Sequence, residues 1–162
     1  RAPTRRPPYY TPIITDLWRT TQPIIRYRLG DLLRVSDQPC PCGSTFRVIT
    51  AIDGRLADLP YFTNKNAGCR VPLFPAQLRQ LILGISPAIT DYQVVQPEDD
   101  HLQVYLTTDP TADFTAIAHQ LDRVLCDAII ACGCQPPVLA IYSGLPPRPA
   151  YIKRRRVQRE RV

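Results

Sequence analysis

Ile25-Arg26-Tyr27-Arg28-Leu29-Gly30-Asp31 and, shortly after it, Asp53-Gly54-Arg55-Leu56-Ala57-Asp58 decide how this chain is read. The first is an apolar, arginine-rich strand that ends on Gly-Asp. The second is a short Gly-Arg turn between two apolar runs, and the pattern of the chain changes there. Before it the signals are those of short strands. Candidates are Ile13–Trp18, Ile24–Leu29, Leu32–Val35 and Phe46–Ile52, punctuated by Asp37, Pro39 and the Pro41–Ser44 turn. Strands this short and close form a meander or the edge of a larger barrel. Residues 1–10 are Pro- and Arg-rich and read as an extended arm.

After Gly54-Arg55 the order becomes hairpin, helix, strand, strand, helix, strand. Leu59–Phe62 and Cys69–Leu73 flank Asn64-Lys65-Asn66-Ala67-Gly68, a hairpin turn. Pro75 suits a first helical position, and Leu78, Leu81, Ile82 and Ile85 follow at helical spacing toward Gly84. Ile89–Val95 reads as a strand, and Leu102, Val104 and Leu106 alternate with polar residues as in a half-buried one. Asp109-Pro110 opens the longest helix, with Asp109 as the expected cap. Its apolar face is Phe114, Ile117, Ala118, Leu121, Leu125, Ala128 and Ile129, and Gly133 ends it. Val138–Tyr142 supplies a last strand. Such an order predicts an α+β layer, a small sheet with helices on one face. The expected divisions are 1–53, the β-rich tail of a larger domain; 54–143, a small α+β domain; and 144–162, a Pro-rich basic tail.

The chain has 162 residues, 44% of them hydrophobic, which is enough for a true core and argues against wholesale disorder. No run approaches the roughly 18 apolar residues of a membrane span, and no signal peptide opens the chain. The expectation is a cytoplasmic domain without a membrane partner. There is no methionine, and the chain opens Arg1-Ala2-Pro3, so it reads as a C-terminal fragment of a longer protein. The net charge of +6 is uneven, with Lys153, Arg154, Arg155, Arg156, Arg159 and Arg161 crowding the end. A basic tail attracts nucleic acid or phosphates, or simply keeps a terminus solvated. No aromatic residues interleave these arginines, which weighs against single-stranded nucleic acid.

Six cysteines occur, and without a secretory signal they are expected reduced or metal-bound. Cys40-Pro41-Cys42-Gly43 and Cys132-Gly133-Cys134 are both C-x-C, a spacing less usual for zinc than C-x₂-C. Cys40 and Cys42, in a Pro/Gly turn, are the candidate Zn²⁺ ligands, and could share the metal with residues of a missing upstream domain. The two histidines, His101 and His119, lack the spacing of a catalytic or metal pair.

Thr15-Asp16-Leu17-Trp18-Arg19-Thr20-Thr21-Gln22-Pro23 running into Ile24–Asp31 resembles the phenylacetate–coenzyme A ligase group of adenylate-forming enzymes, near its deazaflavin-cofactor synthetase and CapK-like branch. Cys40-Pro41-Cys42-Gly43-Ser44, Ile52-Asp53-Gly54-Arg55 and Ile89–Val95 fit the same group, and the resemblance runs from about Tyr10 to Val157. It implies a β-rich fragment of the large adenylating domain followed by a small, mobile C-terminal α+β lid.

By that resemblance Asp31 binds the ribose hydroxyls of ATP or AMP; on its own, Gly-Asp also reads as a turn. Arg55 is the hinge-motif arginine that reaches toward the nucleotide. The pivot falls at Ala57 or Asp58, where the family usually has an acid or lysine. Gly68 lines the channel of the thiol acceptor and Arg70 approaches its phosphate; a hairpin-turn glycine with a surface arginine is the alternative. Pro147-Arg148-Pro149-Ala150-Tyr151-Ile152-Lys153 has the length of the family's late lysine motif without its Ser-Gly, so Lys153 is the candidate catalytic lysine or an ordinary tail residue. The implied partners are a missing N-terminal adenylating domain, a carboxylic acid and coenzyme A, with Mg²⁺ accompanying ATP and no Mg²⁺ ligand visible in the chain. The implied reaction is AMP-forming acyl-CoA ligation. Nucleotidyl transfer to a deazaflavin cofactor, a basic nucleic-acid-binding module and an inactive remnant stay open as alternatives.

Overall fold

The computed structural model describes residues 9–147 and 155–160. The chain divides into two compact units, 1–57 and 58–162.

In the first unit β1 (Tyr9–Tyr10) precedes β2 (Ile13–Ile14) and β3 (Tyr27–Arg28), which pair antiparallel. The strands expected over Ile13–Trp18 and Ile24–Leu29 are therefore shorter. Asp16 stops the first by accepting the Trp18 N–H in a side-chain turn (2.9 Å). β4 (Asp31–Val35) and β5 (Ile49–Arg55) pair antiparallel, with β1 on the far edge of β4. β5 begins three residues later than the sequence pattern predicts and runs through Gly54. Leu32 is the one buried apolar side chain of this unit among the described residues, while Leu17, Trp18 and Phe46 are at least 84% exposed. A unit with so little apolar burial does not stabilise itself alone.

The second unit holds the core. Residues Leu56–Asp58 form a short 3₁₀ turn leading into β6 (Tyr61–Thr63) and β7 (Arg70–Pro72), an antiparallel hairpin. α1 (Pro75–Leu83) starts on proline as expected, and the Phe74 N–H donates to Gln77 Oε1 (3.2 Å). β8 (Ile89–Gln96) and β9 (His101–Thr108) pair antiparallel. α2 (Phe114–Ala131) is capped by Asp113, whose Oδ1 accepts the Ala116 N–H (3.0 Å). Asp109 is not the cap: its carbonyl accepts the Ala112 N–H (3.0 Å), closing a turn ahead of the helix. The cap belongs to the residue directly before the first apolar-periodic position, and that is Asp113. β10 (Val138–Ser143) pairs parallel with β9.

The tail departs most from expectation. Within 144–162, β11 (Val157–Arg159) is a strand parallel to β8, giving the sheet order β10-β9-β8-β11. Val157 is buried in the core. Three tail arginines are ion-paired: Arg155 with Asp58 (2.9 Å), Arg156 with Asp91 (3.5 Å) and Arg159 with Asp99 (3.0 Å). A run of isolated charges in sequence gives no sign of the carboxylates that the fold brings opposite it.

Leu102, Val104 and Leu106 point from β9 into one cluster with Leu78 and Ile82 of α1 and Ile117, Leu121, Leu125 and Ile129 of α2. The period of two on the strand and of 3.6 on the helices place those residues on single faces. Both helices thus cover the same side of the sheet, as the sequence order predicts.

Candidate functional site

The β4–β5 ladder builds the first part of the site. Leu33 pairs with Ile52, but Leu32 pairs with Gly54, so Asp53 is an extra residue without a partner across the ladder. This is a β-bulge, and Gly54 beside it has φ +121°, a conformation that strongly favours glycine. The bulge advances the register by one residue and sets Arg55, not Gly54, opposite Asp31. Arg55 Nε lies 3.6 Å from Asp31 Oδ1. The Asp31 side chain is part-exposed. Gly30, at φ +76°, turns the chain into Asp31, and its carbonyl accepts the Leu56 N–H (2.8 Å).

Asp53 was legible only as part of a turn; its side chain does more. It is 5% exposed, and its Oδ1 accepts one hydrogen bond from Arg34 Nη2 (2.9 Å), with Arg34 Nε in ion contact with Oδ2. The Asp53 carboxylate raises the Arg34 guanidinium above its ordinary range, first through that hydrogen bond and then through its charge. The pair ties the two strands that carry Asp31 and Arg55. The division between units falls directly after, between Ala57 and Asp58, inside the 3₁₀ turn.

In the second unit Gly68 has φ +60° and closes the hairpin by donating to the Asn64 carbonyl (3.0 Å). Asn64 Oδ1 accepts the N–H groups of Asn66 and Ala67 at 3.0 and 2.9 Å. Arg70 is engaged: its guanidinium forks onto Asp99 at 2.8 and 2.9 Å and lies 4.5 Å from the centre of the Tyr61 ring. Arg159 reaches the same aspartate and ring from β11. Two buried polar contacts pin the hairpin to the sheet. Gln96 accepts the Tyr61 N–H and donates to the Tyr61 carbonyl, both at 2.8 Å, and Asp100 Oδ1 accepts the Thr63 N–H at 2.6 Å. Gln96, Asp99, Asp100 and Arg159 were not legible as site residues in the sequence, because no local pattern pairs residues some 30 to 60 positions apart.

Lys153 lies outside the described residues. Cys40 and Cys42 have their Sγ atoms 2.9 Å apart. The Cys40 thiol and the Ser44 N–H hold the Cys42 thiol below its usual range. Among the described residues no group of three or more His, Cys, Asp or Glu side chains is placed to hold a metal ion. No helix among the described residues is long and apolar enough to cross a membrane.

No family model matches the chain. It is 29% identical over 83 residues to phenylacetate-coenzyme A ligase of Thermus thermophilus, an alignment covering 51% of this chain and 17% of that protein. Its fold is similar to that of part of 2-hydroxyisobutyryl-CoA ligase, as solved for that protein in the postadenylation state. The complex with R3-HIB-AMP has 23% identity and a TM-score of 0.60, covering 95% of this chain and 32% of that one. The complex with 2-HIB-AMP has 22% identity and a TM-score of 0.60, covering 96% and 33%. The chain thus spans about a third or less of the length of these proteins. It is similar to the C-terminal part of an adenylate-forming CoA ligase.

Proposed function

We propose that this chain is the C-terminal portion of an AMP-forming acid–thiol ligase, working with an adenylating domain upstream. The observation that carries the reading is the bulge-set register that places Arg55 across from Asp31 immediately before the division between the two units. Asp31 offers carboxylate lone pairs to the adjacent ribose hydroxyls of ATP, a charge-assisted grip. Arg55, already beside that carboxylate, turns toward the nucleotide phosphates. Ala57 and Asp58 are the pivot at which the backbone rotates, and the second unit is the lid. Gly68 admits the coenzyme A arm, and Arg70 exchanges its Asp99 contact for a phosphate of that ligand.

In the first half-reaction the acid's carboxylate attacks the α-phosphorus of ATP, with Mg²⁺ accompanying the nucleotide, and pyrophosphate leaves. Lys153 supplies a cation to the charge that builds on the α-phosphate. In the second, the thiol of coenzyme A attacks the acyl carbon and AMP leaves. The exposed apolar residues Leu17, Trp18 and Phe46 support a further domain against the first unit. The pairing of Arg155, Arg156 and Arg159 with aspartates counts against a nucleic-acid-binding tail.

The test is a titration of the chain with AMP and with its 2′,3′-dideoxy analogue, on wild type and Asp31→Ala. Loss of hydrogen bonds to a charged acceptor costs about 1.5–3 kcal/mol, roughly 10- to 150-fold in affinity. Either change alone should produce that loss, and both together no more than one. Additive losses would show that Asp31 does not hold the ribose. The isolated chain, given ATP and a panel of aryl and alkyl acids, should release no pyrophosphate.

A further inference from the structure

The Cys40-Pro41-Cys42-Gly43 turn takes no part in the reaction above, and its geometry is specific. The turn is closed by the Gly43 N–H donating to the Cys40 carbonyl (3.0 Å), with Gly43 at φ +80°. Pro41 restricts the one residue between the cysteines. Cys42 is exposed and Cys40 half-buried. The remaining thiols differ: Cys134 is buried, Cys126 and Cys132 are half-buried on or beside α2, and Cys69 is exposed on the hairpin. The Cys40–Cys42 sulfur separation of 2.9 Å is about 0.9 Å longer than a disulfide bond of ~2.05 Å. A cavity of about 420 Å³ lies beside the turn, lined by the flanking Pro39 and Ser44 and by Tyr10, Asp37 and Arg47, with neither cysteine in its wall.

We propose that Cys40 and Cys42 are a dithiol–disulfide couple that exchanges with small disulfides. The thiolate of Cys42, the more accessible sulfur, attacks one sulfur of the small disulfide. That S–S bond breaks, one small thiolate leaves, and a mixed disulfide forms on Cys42. The thiolate of Cys40 then attacks the Cys42 sulfur, the mixed disulfide breaks, and the second small thiolate leaves. Two electrons pass from the protein to the small disulfide, and the two protons lost by the cysteines end on the two small thiols. The ring closed is too short to constrain the unfolded chain much, so the bond is no structural staple. Exposed on a turn, it belongs to the readily reduced class.

The experiment treats the full chain with oxidised glutathione, quenches with acid, alkylates, digests with trypsin and weighs the peptide Val35–Arg47, which carries these two cysteines and no other. The expected product is that peptide lighter by two hydrogens, formed before Cys69 reacts and reversed by dithiothreitol. Cys40→Ser should accumulate glutathione on Cys42, and Cys42→Ser should react about tenfold more slowly, as access dictates. Helical circular dichroism checks that both variants fold. The proposal fails if the wild-type peptide stops at the mixed disulfide. It fails equally if the peptide stays reduced while Cys69 is modified, or if a bound metal shields the pair until a chelator removes it.

Discussion

Val157→Ala separates a docked strand from a solvated tail. Val157 is 5% exposed and packs into the core cluster from β11. Its strand is tied to β8 by the Val94 N–H donating to the Arg156 carbonyl (2.8 Å) and the Glu160 N–H donating to the Gln96 carbonyl (2.9 Å). Removing two methyl groups forfeits about 1.6 kcal/mol of transfer free energy, and the residual cavity brings the loss to about 2 kcal/mol. The loss cannot exceed the docking free energy of the strand, because β11 can detach before the unit unfolds. For a unit near 100 residues, 2 kcal/mol lowers Tm by roughly 10 °C. Urea unfolding followed by the helical circular dichroism band reads the second unit, because α1 and α2 both lie in it. Gln158→Ala is the control: Gln158 is half-buried and alternates to the opposite face of the sheet. If the two variants agree within about 0.3 kcal/mol, Val157 does not contribute a core contact.

Gln96→Leu should destabilise the second unit by about 2–4 kcal/mol, since it strands the Tyr61 N–H and carbonyl that Gln96 satisfies inside the protein; an unchanged urea midpoint would refute the pinning role. Gly54→Ala forces a side chain into φ +121° and should cost about 1–3 kcal/mol in the β4–β5 ladder, read as faster amide hydrogen exchange along β4 and β5; unchanged exchange would refute the strain. Asp53→Asn keeps the size of the side chain but removes the charge that Arg34 grips. It should weaken AMP binding through Asp31 and Arg55 without contacting the nucleotide, and an unchanged affinity would show that the bulge holds its register unaided. Removing Arg155, Arg156 and Arg159 together should leave retention on a DNA column nearly unchanged and lower the urea midpoint. A large loss of retention would restore the nucleic-acid reading.

The second unit was largely legible because its pattern is local. Pro75, the spacing of Leu78 and Ile82, and the Ile117–Ile129 face each state their element within a few residues. The first unit was less so, because its short strands have little burial to sharpen a period of two. At Asp109 a Pro-containing turn imitated a helix start, and the cap lay four residues on. The basic end misled for a physical reason: charge density in sequence says nothing of opposite charges supplied by β8, the 3₁₀ turn and the β8–β9 turn.

From the residues alone came the α+β order, both helices and their core faces, the family resemblance, and Asp31 and Arg55 as a pair worth testing. The order and the helix faces rest on periodicity carried by neighbouring positions, and Asp31 and Arg55 on the resemblance of their motifs. Folding alone decided that a bulge at Asp53 brings Arg55 opposite Asp31, that Arg70 is held by Asp99, and that Val157 closes the sheet. Register, ion pairing and strand addition depend on segments far apart in the chain, and which of them meet is set by the sum of packing over the whole unit.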